Sequence, residues 1–151
     1  MNKILNYING KIETSSKEFI DVYDPSKGEI IGQVTNSSDK DFENVINSSR
    51  IAVESWKNVT PLKRSRILSK YKELIEKNIK DIAKIVCQEH GKTLDDAIGS
   101  VTRGLEVVEF ATGIPHLLKG EYSQNVGTNI DSWSIRQPLG ICAGITPFNF
   151  P

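Results

Sequence analysis

Over the first 35 residues, apolar side chains come in short runs broken by turn residues, a strand pattern rather than a helical one. In Tyr7-Ile8-Asn9-Gly10-Lys11-Ile12, an Asn-Gly pair between β-prone residues predicts a hairpin with a type I′ turn. Asp24-Pro25-Ser26-Lys27-Gly28 predicts a second turn, because Pro presets φ and Gly accepts a positive one. The stretches Phe19 to Tyr23 and Ile30 to Val34 are the strands expected beside it. From Ser38 the period lengthens. Phe42, Val45, Ile46, Ala52, Val53 and Trp56 share one helical stripe, with Ser38 as N-cap and Asp41 in the first turn. Thr60-Pro61 opens a second helix with the stripe Ile67, Leu68, Tyr71, Leu74 and Ile75. A third is expected from about Ile79, through Ile82, Ala83 and Val86, to Gly91. Thr93, with Asp96 three residues on, caps a fourth that carries Leu94, Ala97, Ile98, Val101, Leu105 and Val108 before Gly113 and Pro115.

After Gly120 the chain reads as a polar loop, then as a strand from Ile130 to Gln137, where Trp133 and Ile135 alternate with Ser134 and Arg136. Pro138-Leu139-Gly140 breaks it. Ile141-Cys142-Ala143-Gly144-Ile145 is apolar without alternation, the signature of a parallel strand buried on both faces. Such a strand needs parallel neighbours that nothing upstream supplies. The predicted class is therefore α/β, and the 151 residues read as the opening part of a larger protein.

Charge and composition narrow the function. Nineteen basic and nineteen acidic residues cancel, which argues against a dedicated nucleic-acid binder. No apolar run approaches the ~20 residues that span a bilayer. The N-terminal stretch lacks the apolar core of a secretory signal, so a cytoplasmic location is expected, with no membrane partner. Cys87, Cys142, His90 and His116 match no familiar zinc spacing, and no metal is expected.

Gly91-Lys92-Thr93 invites comparison with a phosphate loop, but Val86 stands where the first glycine of GxxxxGK[ST] belongs, after a helix rather than a strand. A helix C-cap followed by an N-cap accounts for these residues. Cys87 and Cys142 read as small core residues rather than nucleophiles, and His90 as a cation at a helix C-terminus. Arg103 lies about 200° around its helix from Val101 and Leu105, on a face shared with Gly99, Val107 and Phe110. Such an arginine either pairs with a neighbouring acid such as Glu106 or grips a substrate carboxylate. The strongest signal is Gly140 to Pro151, where an apolar strand leads into Pro147-Phe148-Asn149-Phe150. This is a rigid polar loop at the carboxyl edge where open α/β sheets bind ligands.

Arg136-Gln-Pro-Leu-Gly140 followed by Thr146-Pro-Phe-Asn-Phe-Pro151 resembles the signature that enters the cofactor domain of the aldehyde dehydrogenase superfamily. Tyr7-Ile-Asn-Gly10 and Asp24-Pro-Ser-Lys-Gly28 resemble its N-terminal hairpin and turn. Phe148, Cys142-Ala-Gly-Ile-Thr-Pro147 and the stretch from Glu89-His-Gly-Lys-Thr93 to Arg103-Gly-Leu-Glu-Val-Val-Glu109 resemble the CoA-acylating methylmalonate-semialdehyde dehydrogenase group. The resemblance spans nearly all 151 residues and roughly the first third of a family member. It implies an N-terminal hairpin region and four-helix layer over residues 1–129, an oligomerisation strand over 130–138, and the first strand of a parallel NAD-domain sheet over 139–151.

The resemblance also implies a chemistry. A cysteine thiolate attacks an aldehyde, NAD accepts the electrons, and the thioester passes to CoA with loss of CO2 from the semialdehyde. Asn149 would donate its amide to the oxyanion, Thr146, Pro147 and Phe148 would line the nicotinamide side of the NAD site, and Arg103 would bind the substrate carboxylate. The family's nucleophilic cysteine and general-base glutamate have no counterpart in these residues, so the segment alone is expected to be inactive. The complete enzyme is expected to be a dimer or tetramer. The alternatives are a non-acylating NAD(P)-dependent aldehyde dehydrogenase and a truncated chain without catalysis.

Overall fold

The computed structural model describes residues 2–150. Five short strands open it: β1 (Asn2–Ile4), β2 (Asn6–Ile8), β3 (Lys11–Glu13), β4 (Phe19–Asp24) and β5 (Glu29–Thr35). The β2–β3 hairpin forms as predicted, with Ile8 opposite Lys11 and both turn residues at positive φ, 49° at Asn9 and 77° at Gly10. That pair of conformations is what a type I′ turn demands. β4 and β5 pair antiparallel around the Asp24–Gly28 turn, and β1 adds to β5 in parallel, giving the order β1-β5-β4. Asp24 stabilises the turn by accepting from the Ser26 N–H (2.9 Å) and hydroxyl (2.5 Å).

Helix α1 (Asp39–Trp56) begins at Ser38 with a full capping box, in which Asp41 reaches back to the Ser38 N–H. Asp41 does more than its sequence position indicates. It is only 3% exposed, and it accepts from the Ser15 N–H (2.5 Å), the Ser38 N–H (2.9 Å) and the Ser38 hydroxyl (2.7 Å). The β3–β4 connection is thereby pinned to the start of α1. These donors, the Ser15 N–H foremost, hold the Asp41 carboxyl far below the ordinary carboxylate range. Because the folded value is depressed, the stabilisation is present above the unfolded value of about 3.9 and is lost as pH falls below it. Asp41→Asn is expected to lower the thermal midpoint by several degrees at pH 7, with the gap to the parent closing below about pH 4. Melting curves followed by circular dichroism across that range test this.

The helical layer departs from expectation. The second and third predicted helices are one 30-residue helix, α2 (Pro61–His90). No Gly or Pro interrupts it, and Asn78, the one poor helix former near the expected break, turns its amide back to the Leu74 carbonyl at 2.7 Å. Gly91 ends α2 in the left-handed conformation, and Thr93 starts α3 (Leu94–Thr112) as predicted. The three-residue link makes α2 and α3 an antiparallel pair. Ala83 and Ala97 are both fully buried, and the Ser65 hydroxyl ties the start of α2 to the Thr112 carbonyl at the end of α3 at 2.6 Å. Lys72 pairs across the layer with Glu109 as well as with Glu76, an exposed arrangement worth little by itself. Gly113 leads into a four-residue turn of helix, α4 (Ile114–Leu117). Among the described residues three long helices thus stand where four are expected, with α2 and α3 packed on each other and α1 against β2.

The predicted polar loop after Gly120 is strand β6 (Tyr122–Gly127), which pairs antiparallel with β7 (Ile130–Trp133). Asn125 and Asn129, both at positive φ, supply the bulge and turn that the polar composition concealed. The expected strand over 130–137 stops at Trp133. Residues 141–145 form no strand. They lie exposed, Ile145 at 99%, because no ladder partner exists among the described residues. Cys142 is accordingly exposed, not a core residue, and Cys87 is half-buried. No helix among the described residues is long and apolar enough to cross a membrane.

Candidate functional site

The last turn of the chain is anchored to the α2–α3 link. Pro147 to Phe150 form a tight turn closed by the Phe150 N–H on the Pro147 carbonyl at 3.3 Å. His90, the final residue of α2, holds the Phe148 carbonyl at 2.8 Å through Nε2. A carbonyl only accepts, so Nε2 carries the proton. Lys92 Nζ donates to the Asn149 carbonyl at 2.8 Å and to the Ser100 hydroxyl at 3.0 Å, and lies 4.6 Å from the centre of the Phe150 ring. Gly91 separates the two anchors, and its φ of 76° swings the chain so that residues on both sides reach the same turn.

This anchoring closes one side of a cleft of about 880 Å³ between the first half of α3 and the terminal loop. Asp95, Asp96, Ser100 and Arg103 are among the residues that line it from α3, with Lys92 on the link and Thr146, Pro147 and Phe150 on the loop. Of the residues predicted from sequence, the structure brings Arg103, Thr146 and Pro147 together in this cleft. Phe148 and Asn149 stand on the adjoining turn, outside the lining. The face of α3 that carries Arg103 is open, with Val107 68% and Phe110 70% exposed, rather than buried. Arg103 forms no ion pair among the described residues, so the expected pairing with Glu106 is absent. Its fork of donors is free for a carboxylate. The Asn149 amide likewise has no side-chain hydrogen-bond partner among the described residues and faces solvent.

Among the described residues, the Thr146 N–H and carbonyl and the Phe148 N–H are unpaired, and Pro147 keeps the backbone between them stiff. No strand among the described residues runs into a helix through a glycine-rich turn, so a pyrophosphate cradle is not formed by them. His90 and Lys92 were not legible as site residues. Each fits a local capping role, and their partners lie 58 and 57 residues away.

The aldehyde dehydrogenase family profile matches residues 11–151. A malonate-semialdehyde dehydrogenase of Pseudomonas aeruginosa is 46% identical over 151 residues, covering 100% of this chain and 30% of its own. The human methylmalonate-semialdehyde/malonate-semialdehyde dehydrogenase, described as acylating and mitochondrial, is 42% identical over 146 residues, 96% of this chain and 27% of its own. The methylmalonate-semialdehyde dehydrogenase of Oceanimonas doudoroffii superposes with a TM-score of 0.94 at 46% identity, over 99% of this chain and 31% of its own. A Sinorhizobium meliloti protein crystallised with NAD gives 0.94 at 43% identity, over 100% and 31%. The chain thus spans about 30% of the length of the curated relatives it matches. Its hairpins, helical layer and terminal loop follow the N-terminal part of the aldehyde dehydrogenase fold. With the profile matched from β3 onward and the architecture superposing over its whole length, the chain belongs to the aldehyde dehydrogenase family.

Proposed function

We propose that this segment supplies the substrate-recognition arginine and the oxyanion donor of an NAD-dependent, CoA-acylating (methyl)malonate-semialdehyde dehydrogenase. One observation carries the reading: Arg103, without an ion pair among the described residues, shares a cleft with Thr146 and Pro147, and the Asn149 amide, unpartnered among them, stands on the adjoining turn. Arg103 would bind the carboxylate of the semialdehyde through paired, charge-assisted hydrogen bonds. Asn149 would donate to the aldehyde oxygen as a cysteine thiolate, supplied by sequence outside this segment, adds to the carbonyl carbon. Negative charge then grows where a donor already waits. The unpaired main-chain groups of Thr146 and Phe148, with Pro147 between them, would hold the nicotinamide side of NAD, which when bound supplies the two-electron acceptor. CoA would take the acyl group from the cysteine, with CO2 lost from the former semialdehyde.

Wide apolar exposure supports a larger working unit. Ile8, Ala83 and Ala97 are the buried apolar residues among those described, far fewer than a self-sufficient chain of this size encloses. The β6–β7 hairpin exposes Tyr122, Val126, Ile130 and Trp133, and we assign it to subunit contact in a homodimer or homotetramer. NADH formation tests the reading. With malonate semialdehyde the full-length enzyme is expected to need CoA for sustained turnover and to yield acetyl-CoA, whereas the 151-residue segment yields no NADH. Undiminished turnover without CoA, with a free acid as product, means a non-acylating dehydrogenase.

A further inference from the structure

The donors that hold the terminal turn are arranged around Asn149 in a way that simple tethering does not require. The Phe148 carbonyl lies in the peptide plane before the Asn149 Cα, and the Asn149 carbonyl lies in the plane after it. His90 holds the first carbonyl at 2.8 Å, and Lys92 holds the second at 2.8 Å. Holding both restrains φ and ψ of Asn149, and with them the direction of its Cα–Cβ bond. Only the side-chain torsions stay free. Lys92 is itself anchored, since its ammonium contacts the Ser100 hydroxyl on α3, the Asn149 carbonyl and the Phe150 ring. The Ser100 hydroxyl in turn donates to the Asp96 carbonyl at 3.1 Å. The turn is thereby referenced to the helix that carries Arg103.

We propose that His90 and Lys92 are positioning residues that aim the Asn149 amide at the reacting oxygen, with Lys92 setting the distance between that amide and the α3 wall of the substrate cleft. The inference rests on the reading of Asn149 as the oxyanion donor. His90 lies outside the lining of the cleft, and Lys92, which does line it, directs its ammonium to the Asn149 carbonyl and the Ser100 hydroxyl. Both act through main-chain carbonyls, so their effect belongs in kcat and disappears once the amide they aim is gone.

A double-mutant cycle in the full-length enzyme tests this. Lys92→Met keeps the aliphatic stem and removes the donors, and it is expected to lower kcat about tenfold while the Kd for NAD and the KM for the aldehyde stay within about twofold. Lys92→Arg, which keeps the charge and the reach to the ring, is expected to restore kcat to within about threefold. In an Asn149→Ala background, Lys92→Met should cost less than about twofold. The same tenfold loss in that background, or full kcat in the single variant while Asn149→Ala is impaired, overturns the positioning role and leaves the Asn149 reading intact. If instead Asn149→Ala retains full kcat, the oxyanion reading fails first and takes the positioning role with it.

Discussion

Replacing Asn149 with alanine in the full-length enzyme is expected to lower kcat by about 10²- to 10³-fold, the range for loss of one preorganised oxyanion donor. The Kd for NAD should change by no more than about twofold. The structure makes this a clean experiment. The contacts that hold the turn run through the Phe148 and Asn149 carbonyls and the Phe150 ring, so removing the Asn149 side chain breaks none of them. A purely structural asparagine in such a turn would bond its own backbone. This one has no such bond among the described residues. Asn149→Asp preserves shape but replaces the donor with a second acceptor, and it should be at least as impaired as the alanine variant. Single-turnover NADH formation separates the chemical step from product release. A loss confined to NAD affinity would move Asn149 from the oxyanion to the cofactor.

The features legible in the sequence are those decided within a few residues. The Asn9-Gly10 turn, the Asp24–Gly28 turn and the caps at Ser38, Thr60, Thr93 and Gly91 each depend on neighbours close enough to be read together. Misjudged features depend on partners far along the chain. Asp41 looked like an ordinary first-turn acid because its contact with Ser15 crosses 26 residues. Lys92 looked idle between two helix caps because the Asn149 carbonyl is 57 residues on. Residues 141–145 carry the right composition for a doubly buried strand, yet composition cannot supply the ladder, and a strand without neighbours stays open. The split of α2 was a different error. A new helix is expected from about Ile79, although packing along α3 carries α2 through that point and Asn78 keeps its amide on the Leu74 carbonyl.

Arg103→Leu is expected to raise the KM for malonate semialdehyde or its methyl derivative by about 10- to 100-fold, the loss of a charge-assisted hydrogen-bond pair worth about 1.5–3 kcal/mol. The KM for propanal, which has no carboxylate, should change by less than about twofold. Two features of the site set this contrast. Arg103 is exposed on the open face of α3 and has no acidic partner among the described residues, so its removal leaves no buried charge behind and should not unfold the helix. Its neighbours Gly99 and Gly104 leave open space beside it, where a Cβ would meet nothing within 4 Å, so a substrate group can approach the guanidinium. Arg103→Lys keeps the charge but loses the planar fork, and an intermediate KM is expected. Parallel steady-state measurements on a carboxylated aldehyde and on propanal decide the matter. Equal losses on both substrates would make Arg103 a structural residue of α3, and a loss limited to the carboxylated aldehyde would make it the residue by which the enzyme tells its semialdehyde from a simple aldehyde.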